Sequence, residues 1–258
     1  MYKVFWISFV ILVSIICFLI AYKPSYSQQK GSAELEKLRH TMVRDQIEQR
    51  GVKDRRVLEA MRTVPRHLFV SDISRSEAYE DRPLPIAEGQ TISQPYIVGL
   101  MTELLGLQGH ERVLEVGTGS GYQAAVLAKL CRQVYTIEII PELAQAAKEL
   151  LLQLGITNVA VRCADGYAGW PEEAPFDAVI VTCAPAQVPP ALIQQLADGG
   201  RLVIPVGEFD QELKLIVKSG STIQEKTVIP VRFVPMIKKT SDAAEKTRCF
   251  TFSKNIIQ

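Results

Sequence analysis

Histidine and cysteine, the usual ligands of transition metals, are scarce in this sequence. Only three of its 258 residues are histidine and five are cysteine. No C-x-x-C pair and no H-E-x-x-H motif occurs among them, so neither type has the spacing of a metal site. A structural or catalytic metal is therefore not expected. The apolar runs that contain Cys163 and Cys183 predict buried free thiols instead.

A net charge is also nearly absent. Lys and Arg together number 29 and Asp and Glu number 28, which leaves a formal charge of +1 at pH 7. Composition alone therefore predicts no basic surface for nucleic acid. The length suffices for one large α/β domain or two small ones.

One long hydrophobic run is present, at 4–22, and only serines interrupt it. A helix needs about 20 apolar residues to cross a bilayer. Two interpretations stay open: a retained membrane anchor, or a secretory signal with Lys3 as its basic start and small Ser25 and Ser27 at the cleavage positions. We assign residues 1–27 to this signal or anchor and exclude them from the fold prediction.

The remaining chain predicts a linker at 28–39, one folded domain at 40–238 and a polar tail at 239–258. Helical periodicity begins at Ala33, and Asp54 can cap a second helix that stops before Pro65. Strands and helices then alternate, which predicts an α/β fold: a Rossmann-like, doubly wound, mainly parallel sheet with helices on both faces, plus an N-terminal helical extension. The predicted strands are 113–116, 134–139, 159–163, 176–182, 201–206 and a final hairpin of 213–218 with 227–233.

The stretch RVLEVGTGSGYQAAVL, at 112–127, has the order strand, glycine turn, helix. The apolar run 113–116 favours a buried parallel strand, and Gly117, Gly119 and Gly121 let the backbone approach a ligand closely. This order opens a βαβ unit of the kind that binds nucleotides. A tight turn without a ligand is the alternative interpretation.

Glu115 lies at the carboxyl end of that strand, directly before the glycines. Dinucleotide sites place a pyrophosphate at the start of the following helix, where this carboxylate would repel it. The spacing is also G-x-G-x-G and not G-x-G-x-x-G. A positively charged ligand without phosphate, such as S-adenosylmethionine (AdoMet), fits better. A nicotinamide-dependent oxidoreductase or a non-catalytic nucleotide-binding module is the alternative.

Acidic residues also end the next two predicted strands. Glu138 follows the glycine turn at the distance where a carboxylate accepts from ribose hydroxyls, and Asp165 is placed to accept from the adenine amine. Solvated loop carboxylates are the alternative for both. Because the carboxyl ends of parallel strands meet at one edge of a sheet, we expect Glu115, Glu138 and Asp165 to border one pocket.

A loop precedes this unit, and several of its motifs occur together in one known family. DRPLP at 81–85, GQTISQP at 89–95 and EVGTGSGY at 115–122 resemble the protein-L-isoaspartate O-methyltransferases, and EVGTGSG by itself resembles motif I of class I AdoMet-dependent methyltransferases. Further matching stretches are VRDQ at 43–46, VPRHLFV at 64–70 and RFVPM at 232–236. The resemblance covers about residues 40 to 238.

The resemblance implies methyl transfer from AdoMet to the free α-carboxylate of L-isoaspartyl residues, which starts repair of damaged proteins through a succinimide. It implies isoaspartyl proteins and peptides as partners. We also expect a monomer, no nucleic-acid partner, and membrane contact only through the N-terminal segment. The resemblance assigns the active-site role to Ser93. The expected cofactor-binding residues are Thr91, Ile92, Glu115, Gly117, Thr118, Gly119, Gly121, Glu138, Ile139, Asp165 and Gly166.

The residues are compatible with this chemistry. An α-carboxylate is already ionised at neutral pH and needs no general base, so the enzyme must chiefly hold the reactants in line. We expect Ser93 to position the carboxylate, and the alternative is that it caps the helix that starts at Pro95. A methyltransferase for another acceptor, such as a small molecule, is the second functional hypothesis.

The site of action is predicted from cofactor supply. AdoMet is made in the cytosol, which favours a cytosol-facing domain, anchored or free. Export to the periplasm after signal cleavage is the alternative.

Overall fold

The computed structural model describes residues 26–238, with side chains described from residue 33 onward. The chain divides into two compact units, with the boundary between Leu38 and Arg39. The hydrophobic run at 4–22 and the tail predicted at 239–258 lie outside the described residues. Within 26–238, no helix has the length and apolar character needed to cross a membrane.

Helices open the described chain. Helix α1 (Tyr26–Met42) continues into a π-helical segment (Val43–Glu48), and α2 (Arg55–Thr63) follows. Helix α1 begins at Tyr26, at the end of the segment assigned to the signal or anchor, and runs through all of the segment predicted as a linker. The predicted cap of α2 is confirmed, because the Asp54 carboxylate accepts from the Arg56 backbone N–H at 2.8 Å. Short 3-10 turns at Arg66–Leu68 and Asp72–Glu77 come next.

The stretch predicted as a loop upstream of the central strand contains a small β-hairpin. Strand β1 (Leu84–Pro85) pairs antiparallel with β2 (Thr91–Ile92), around a 3-10 turn at Ala87–Gly89. We call residues 84–92 the lid hairpin. Strands of two residues are too short to produce an alternating hydrophobic pattern, so periodicity did not reveal them.

A seven-stranded sheet forms the body of the fold and confirms the predicted class. Its spatial order is β5-β4-β3-β6-β7-β8-β9, parallel from β5 through β7 and antiparallel from β7 to β9. The strands are β3 (Arg112–Val116), β4 (Gln133–Glu138), β5 (Val159–Cys163), β6 (Phe176–Val181), β7 (Leu196–Val206), β8 (Gln211–Ser219) and β9 (Thr222–Val231).

Four helices pack against the strands of this sheet. They are α3 (Pro95–Leu105), α4 (Tyr122–Ala128), α5 (Pro141–Gln153) and α6 (Pro190–Gln194), with 3-10 turns at Gly166–Ala168 and Pro171–Glu173. Leu114, Val179 and Leu202 on three adjacent strands are fully buried. Apolar runs that carry no polar face suit strands covered on both sides, which is why β3 and β6 lie at the centre.

The chain path places the ligand crevice. From β3 it runs outward through β4 and β5, and then returns to β6 on the other side of β3. Ligands of open parallel sheets bind at the carboxyl ends of the strands where the order reverses. That point lies between β3 and β6, at the glycine turn.

One prediction about cysteine is wrong. Cys131 and Cys183 are free, but Cys163 is half-buried and disulfide-bonded. It ends an edge strand of the sheet, where a side chain is less enclosed than the apolar run suggested.

Candidate active site

A cleft of about 290 Å³ opens at the carboxyl ends of β3, β4 and β6. We call it the cleft throughout. Its lining consists of residues 89–93, 116–120, 137–140 and 234–237, together with Val98, Tyr122, Gln123, Gly166, Thr182 and Cys183. The lid hairpin, the glycine turn and the end of β4 therefore meet as predicted. The predicted site residues that line the cleft are Thr91, Ile92, Ser93, Gly117, Thr118, Gly119, Glu138, Ile139 and Gly166.

The glycine turn is held from both neighbouring strands. The Gly117 N–H donates to the Ile137 carbonyl of β4 at 2.8 Å, and the Thr182 hydroxyl after β6 donates to the Gly117 carbonyl at 2.5 Å. Gly117 has φ +98°, and a Cβ there would lie 2.4 Å from the Thr182 hydroxyl oxygen. Glycine is therefore required at position 117 even without a ligand, because a side chain there would collide with Thr182.

Glu138 joins the end of β4 to the glycine turn. It is 6 % exposed, and its Oε2 accepts from the Gly119 N–H at 2.8 Å. Its Oε1 accepts from the Ile139 N–H at 2.9 Å and the Ile140 N–H at 3.0 Å. A carboxylate oxygen has room for two donors, so Oε1 is saturated and Oε2 can accept one more. That remaining position is available to one ligand hydroxyl.

Glu115 does not line the cleft. The side chain is completely buried in β3, and neither carboxylate oxygen has a hydrogen-bond partner. The pKa of Glu115 is raised to about 8, chiefly because burial disfavours the charged form; the Thr136 hydroxyl opposes the shift and the charge of Glu138 adds to it. Glu115 is therefore absent from the lining of the cleft, and its predicted cofactor-binding role stays a prediction.

Gly121 and Asp165 also lie outside the lining. Gly121 has φ +86°, and a Cβ there would lie 3.3 Å from the Ala147 Cβ, so it permits close packing of α4 on α5. The Asp165 carboxylate accepts from the Tyr167 N–H at 2.9 Å and caps a 3-10 turn. Gly166, next to it, does line the cleft, and a Cβ there would lie 2.4 Å from the Val116 Cγ1.

A second cavity, the groove, has a volume of about 480 Å³. It is lined by residues 229–234 and by Arg50, Pro83, Thr91, Ser93, Gln94, Tyr96, Ile97 and Thr182. Four residues line both cavities: Thr91, Ser93, Thr182 and Val234. The groove therefore meets the cleft at the predicted active-site serine.

The hydroxyl of Ser93 is free at this junction. Among the described residues it makes no hydrogen bond, and the cap position of α3 belongs to Gln94, whose side chain makes no capping bond either. The alternative interpretation of Ser93 as a helix cap is thus not supported. The serine is half-buried, and its hydroxyl is available to a ligand.

Sequence reasoning missed the far wall of the cleft, at 234–237, which we call the strap. Ala184 anchors it: its N–H donates to the Val234 carbonyl and its carbonyl accepts from the Met236 N–H, both at 2.8 Å. The only sequence signal for the strap was the matching stretch RFVPM. Cys183 was missed too, and burial raises the pKa of this thiol to about 12, so it stays protonated.

The described residues hold no group of three or more His, Cys, Asp or Glu side chains that could bind a metal ion. A mainly parallel sheet, a glycine turn at its switch point and an acidic residue at the end of the next strand are the features of a Rossmann-like cofactor-binding domain, the architecture that class I methyltransferases have.

Comparison with known proteins narrows the class. The sequence profile of the protein-L-isoaspartate(D-aspartate) O-methyltransferases (PCMT) matches residues 37–241. The protein-L-isoaspartate O-methyltransferase of Geobacter metallireducens is 58% identical over 204 residues, which is 78% of this chain and 94% of that protein. Protein-L-isoaspartate O-methyltransferase 2 of Shewanella sediminis is 56% identical over 81% of this chain and 86% of that protein.

Solved structures agree. A protein-L-isoaspartate O-methyltransferase structure has a TM-score of 0.71 at 31% identity, covering 83% of this chain and 69% of that one. The Plasmodium falciparum PCMT, in complex with S-adenosyl-L-homocysteine, has a TM-score of 0.68 at 26% identity, covering 78% of this chain and 99% of that one. The chain belongs to the protein-L-isoaspartate O-methyltransferase family. Its reaction is therefore O-methylation of L-isoaspartyl residues in proteins.

Proposed function

We propose that the cleft holds AdoMet, that the groove holds the isoaspartyl segment of a damaged protein or peptide, and that Ser93 aligns the two. The observation that carries this division is the junction of the cavities. Thr91, Ser93, Thr182 and Val234 line both, so a group in the groove can reach a group in the cleft there.

The residues of the cleft fit AdoMet. The free acceptor position on Glu138 Oε2 suits a ribose hydroxyl, and the bare backbone at Gly119 permits a close approach, since only Ile86 of the lid hairpin lies within 4 Å of a Cβ placed there. The relative from Plasmodium falciparum, bound to S-adenosyl-L-homocysteine, supports the same use of the cleft. When bound, AdoMet supplies a methyl group on a positively charged sulfonium.

The lining residues perform no proton transfer. No histidine is among the described residues that line the cleft or the groove, and Cys183 is held as a thiol. The α-carboxylate of an isoaspartyl residue has a pKa near ~3.5, so it is ionised and can act as the nucleophile itself. Ser93 donates a hydrogen bond that orients this carboxylate and shields it from water. The serine carries no covalent intermediate, because no base is in place to activate it.

Repair follows from the product. The backbone nitrogen of the next residue attacks the new ester carbonyl, methanol leaves, and a succinimide forms. Hydrolysis at one of its two carbonyls restores a normal aspartyl link. Both steps proceed without further groups from the protein.

The proposed roles of the site residues follow their positions. Ser93 is the catalytic residue, and Thr91, Ile92, Gly117, Thr118, Gly119, Glu138, Ile139 and Gly166 contact the cofactor. Glu115, Gly121 and Asp165 support the cleft from behind or from its edge. One chain supplies both cavities, which is compatible with action as a monomer. Cofactor supply favours the cytosol as the place of action; fractionation with protease accessibility of the domain at 40–238 tests this.

A methyl-transfer assay tests the function. Tritiated AdoMet is offered with an isoaspartyl peptide and with the aspartyl peptide of the same sequence. We expect transfer only to the isoaspartyl peptide. Equal transfer to both peptides, or binding of S-adenosylhomocysteine without any transfer, contradicts the proposal and favours another acceptor. Calorimetry with NAD checks the dinucleotide alternative, for which we expect no binding.

A further inference from the structure

Arg66 is the largest side chain that is fully buried in the described part of the chain. Its Nε–H donates to the Ala78 carbonyl at 2.7 Å, and neither terminal nitrogen makes a hydrogen bond of good geometry, although the Tyr122 hydroxyl lies near enough to act on the Arg66 pKa. Burial lowers the pKa of this guanidinium to about 10, which leaves it charged at neutral pH. A buried charge with so few partners costs several kcal/mol, so its place in the fold needs a reason.

Other buried polar groups without partners occur in the same part of the fold. Among the described residues, seven buried side-chain atoms have no partner: two belong to Glu115 and the other five to Gln46, Arg66, Asp81 and Tyr122. We call these four residues the Arg66 cluster. The guanidinium carbon lies 5.0 Å from the centre of the Tyr122 ring, and the charge of Asp81 acts on the Arg66 pKa as well.

The cluster connects two elements of the active site. Tyr122 begins helix α4, directly after the glycine turn, and lines the cleft. Asp81 precedes the lid hairpin, and its backbone carbonyl accepts from the Gln94 side chain, next to Ser93, at 3.0 Å. The two ends of the lid hairpin are thus joined at Asp81, whose Oδ2 also pairs with Arg50 at 2.5 Å. The cluster therefore has members both at this junction and at the start of the helix after the glycine turn.

Side chains of the cluster also hold the chain just before the hairpin. Arg66 and Gln46 donate to the adjacent carbonyls of Ala78 and Tyr79, at 2.7 and 2.9 Å. The hairpin itself has a ladder of only two residue pairs. Its position therefore depends on these anchors more than on its own strands.

The unpartnered atoms are complementary. Arg66 offers N–H donors, Asp81 Oδ1 and Gln46 Oε1 are acceptors, and the Tyr122 hydroxyl can serve as either. Buried polar groups that meet in this way are joined directly or through ordered water. We propose that Arg66 is a positioning residue that fixes the lid hairpin, and with it Ser93, against the glycine turn. This inference rests on the proposed role of Ser93.

Arg66→Met is the first test, because methionine fills a similar volume without charge or donors. Removing one member of a buried polar group is destabilising, because the remaining members stay buried. We therefore expect a lower melting temperature, so the assays are run well below it, and S-adenosylhomocysteine affinity should stay within about threefold. Peptide kcat/KM should fall at least about tenfold, because a small displacement of Ser93 disturbs the alignment. Wild-type kcat/KM in this variant overturns the proposal.

Hydrogen exchange gives a readout that does not depend on activity. In Arg66→Met, amides of the lid hairpin, whose two-pair ladder can open locally, should exchange at least about tenfold faster than in the wild type. Wild-type hairpin rates beside faster exchange in β3 and β4 would show a merely structural role and overturn the proposal. If the wild type proves inactive on isoaspartyl peptides, this measurement still decides the positioning role, so the two failures are distinguishable.

Two further variants complete the test. Arg75→Met removes an exposed arginine that pairs only with Asp72, at 2.5 Å, and should change neither readout. Arg66→Lys keeps the charge but loses the Nε donor, and should give hairpin exchange between those of the wild type and Arg66→Met. If Arg66→Met does not fold, Arg66→Lys carries the same comparison, and wild-type hairpin exchange there overturns the proposal.

Discussion

Glu115 and Glu138 are identical side chains, placed near the ends of neighbouring parallel strands, in opposite environments. The Glu138 carboxylate accepts three backbone N–H groups, whereas both oxygens of Glu115 are buried without a partner. Backbone donors stabilise a charged carboxylate, and burial without donors disfavours it. One acid therefore shapes the wall of the cleft, and the other is a mostly neutral group of the core.

Replacing Glu138 by Gln should weaken cofactor binding. Either orientation of the amide sets its NH₂ group against a backbone N–H of Gly119 or of Ile139 and Ile140, and the acceptor for a ribose hydroxyl is weakened. We expect a loss of about 1–3 kcal/mol, roughly tenfold to a hundredfold in affinity for S-adenosylhomocysteine, measured by calorimetry.

Glu111→Gln is the matched control for that variant. Glu111 also accepts two backbone N–H groups, from Gln108 at 2.6 Å and Gly109 at 2.8 Å, but it lines neither cavity. It should lower stability and leave cofactor affinity unchanged. Equal losses of affinity in both variants would show that Glu138 acts only through general stability.

Gly117→Ala should abolish cofactor binding. The added Cβ would lie 2.4 Å from the Thr182 hydroxyl oxygen, so the turn must shift. Gly109→Ala has a comparable backbone conformation, φ +113° against +98°, but nothing within 4 Å of the new Cβ. It should cost only about 1–2 kcal/mol of stability. Similar binding curves for the two variants would contradict a steric cause.

Ser93→Ala should separate turnover from cofactor affinity. The hydroxyl is free and lies where the two cavities meet, so its loss should lower kcat/KM for an isoaspartyl peptide by roughly tenfold to a hundredfold, the value of one hydrogen bond to a charged group. S-adenosylhomocysteine affinity should stay within about twofold. Exposed Ser76, changed to Ala, serves as control and should match the wild type. A collapse of cofactor affinity in Ser93→Ala would refute the positioning role.

Glu115→Gln should change the pH dependence of stability. The carboxyl has a pKa of about 8 in the folded protein and 4.5 as its ordinary value. Between these values the folded state keeps a proton that the unfolded state has lost, so wild-type stability decreases as the pH rises from 4.5 through about 8. The Gln variant lacks this decrease.

Chemical denaturation of both proteins between about pH 5 and about pH 9 measures the effect. As the pH rises, the free energy of unfolding of the variant should increase relative to that of the wild type, by at most on the order of 5 kcal/mol. Parallel stability profiles would show that Glu115 is ionised in the fold.

The periodic parts of the fold were predictable. Strands β3 to β6 are apolar runs bounded by turns, and their predicted limits differ from the observed ones by a residue or so. The Asp54 cap and the existence of a final hairpin around Gly220 were also predicted correctly, but β7 and β9 each begin five residues earlier than predicted. The lid hairpin was not, because strands of two residues carry no period. The strap was not, because its place depends on a bridge between Ala184 and Pro235, which are 51 positions apart (235 − 184).

The sequence by itself determined the class of chemistry. The TIS motif, Glu115 and the glycine turn follow one another as in the protein-L-isoaspartate O-methyltransferases, and local residue types are enough to show that resemblance. Only the tertiary structure decided which acid faces the ligand, since charge state and access depend on what packs around a side chain. Glu115 and Glu138 are the same residue type at similar places in the pattern. Burial and backbone donors from distant parts of the chain made one a core group and the other a binding group.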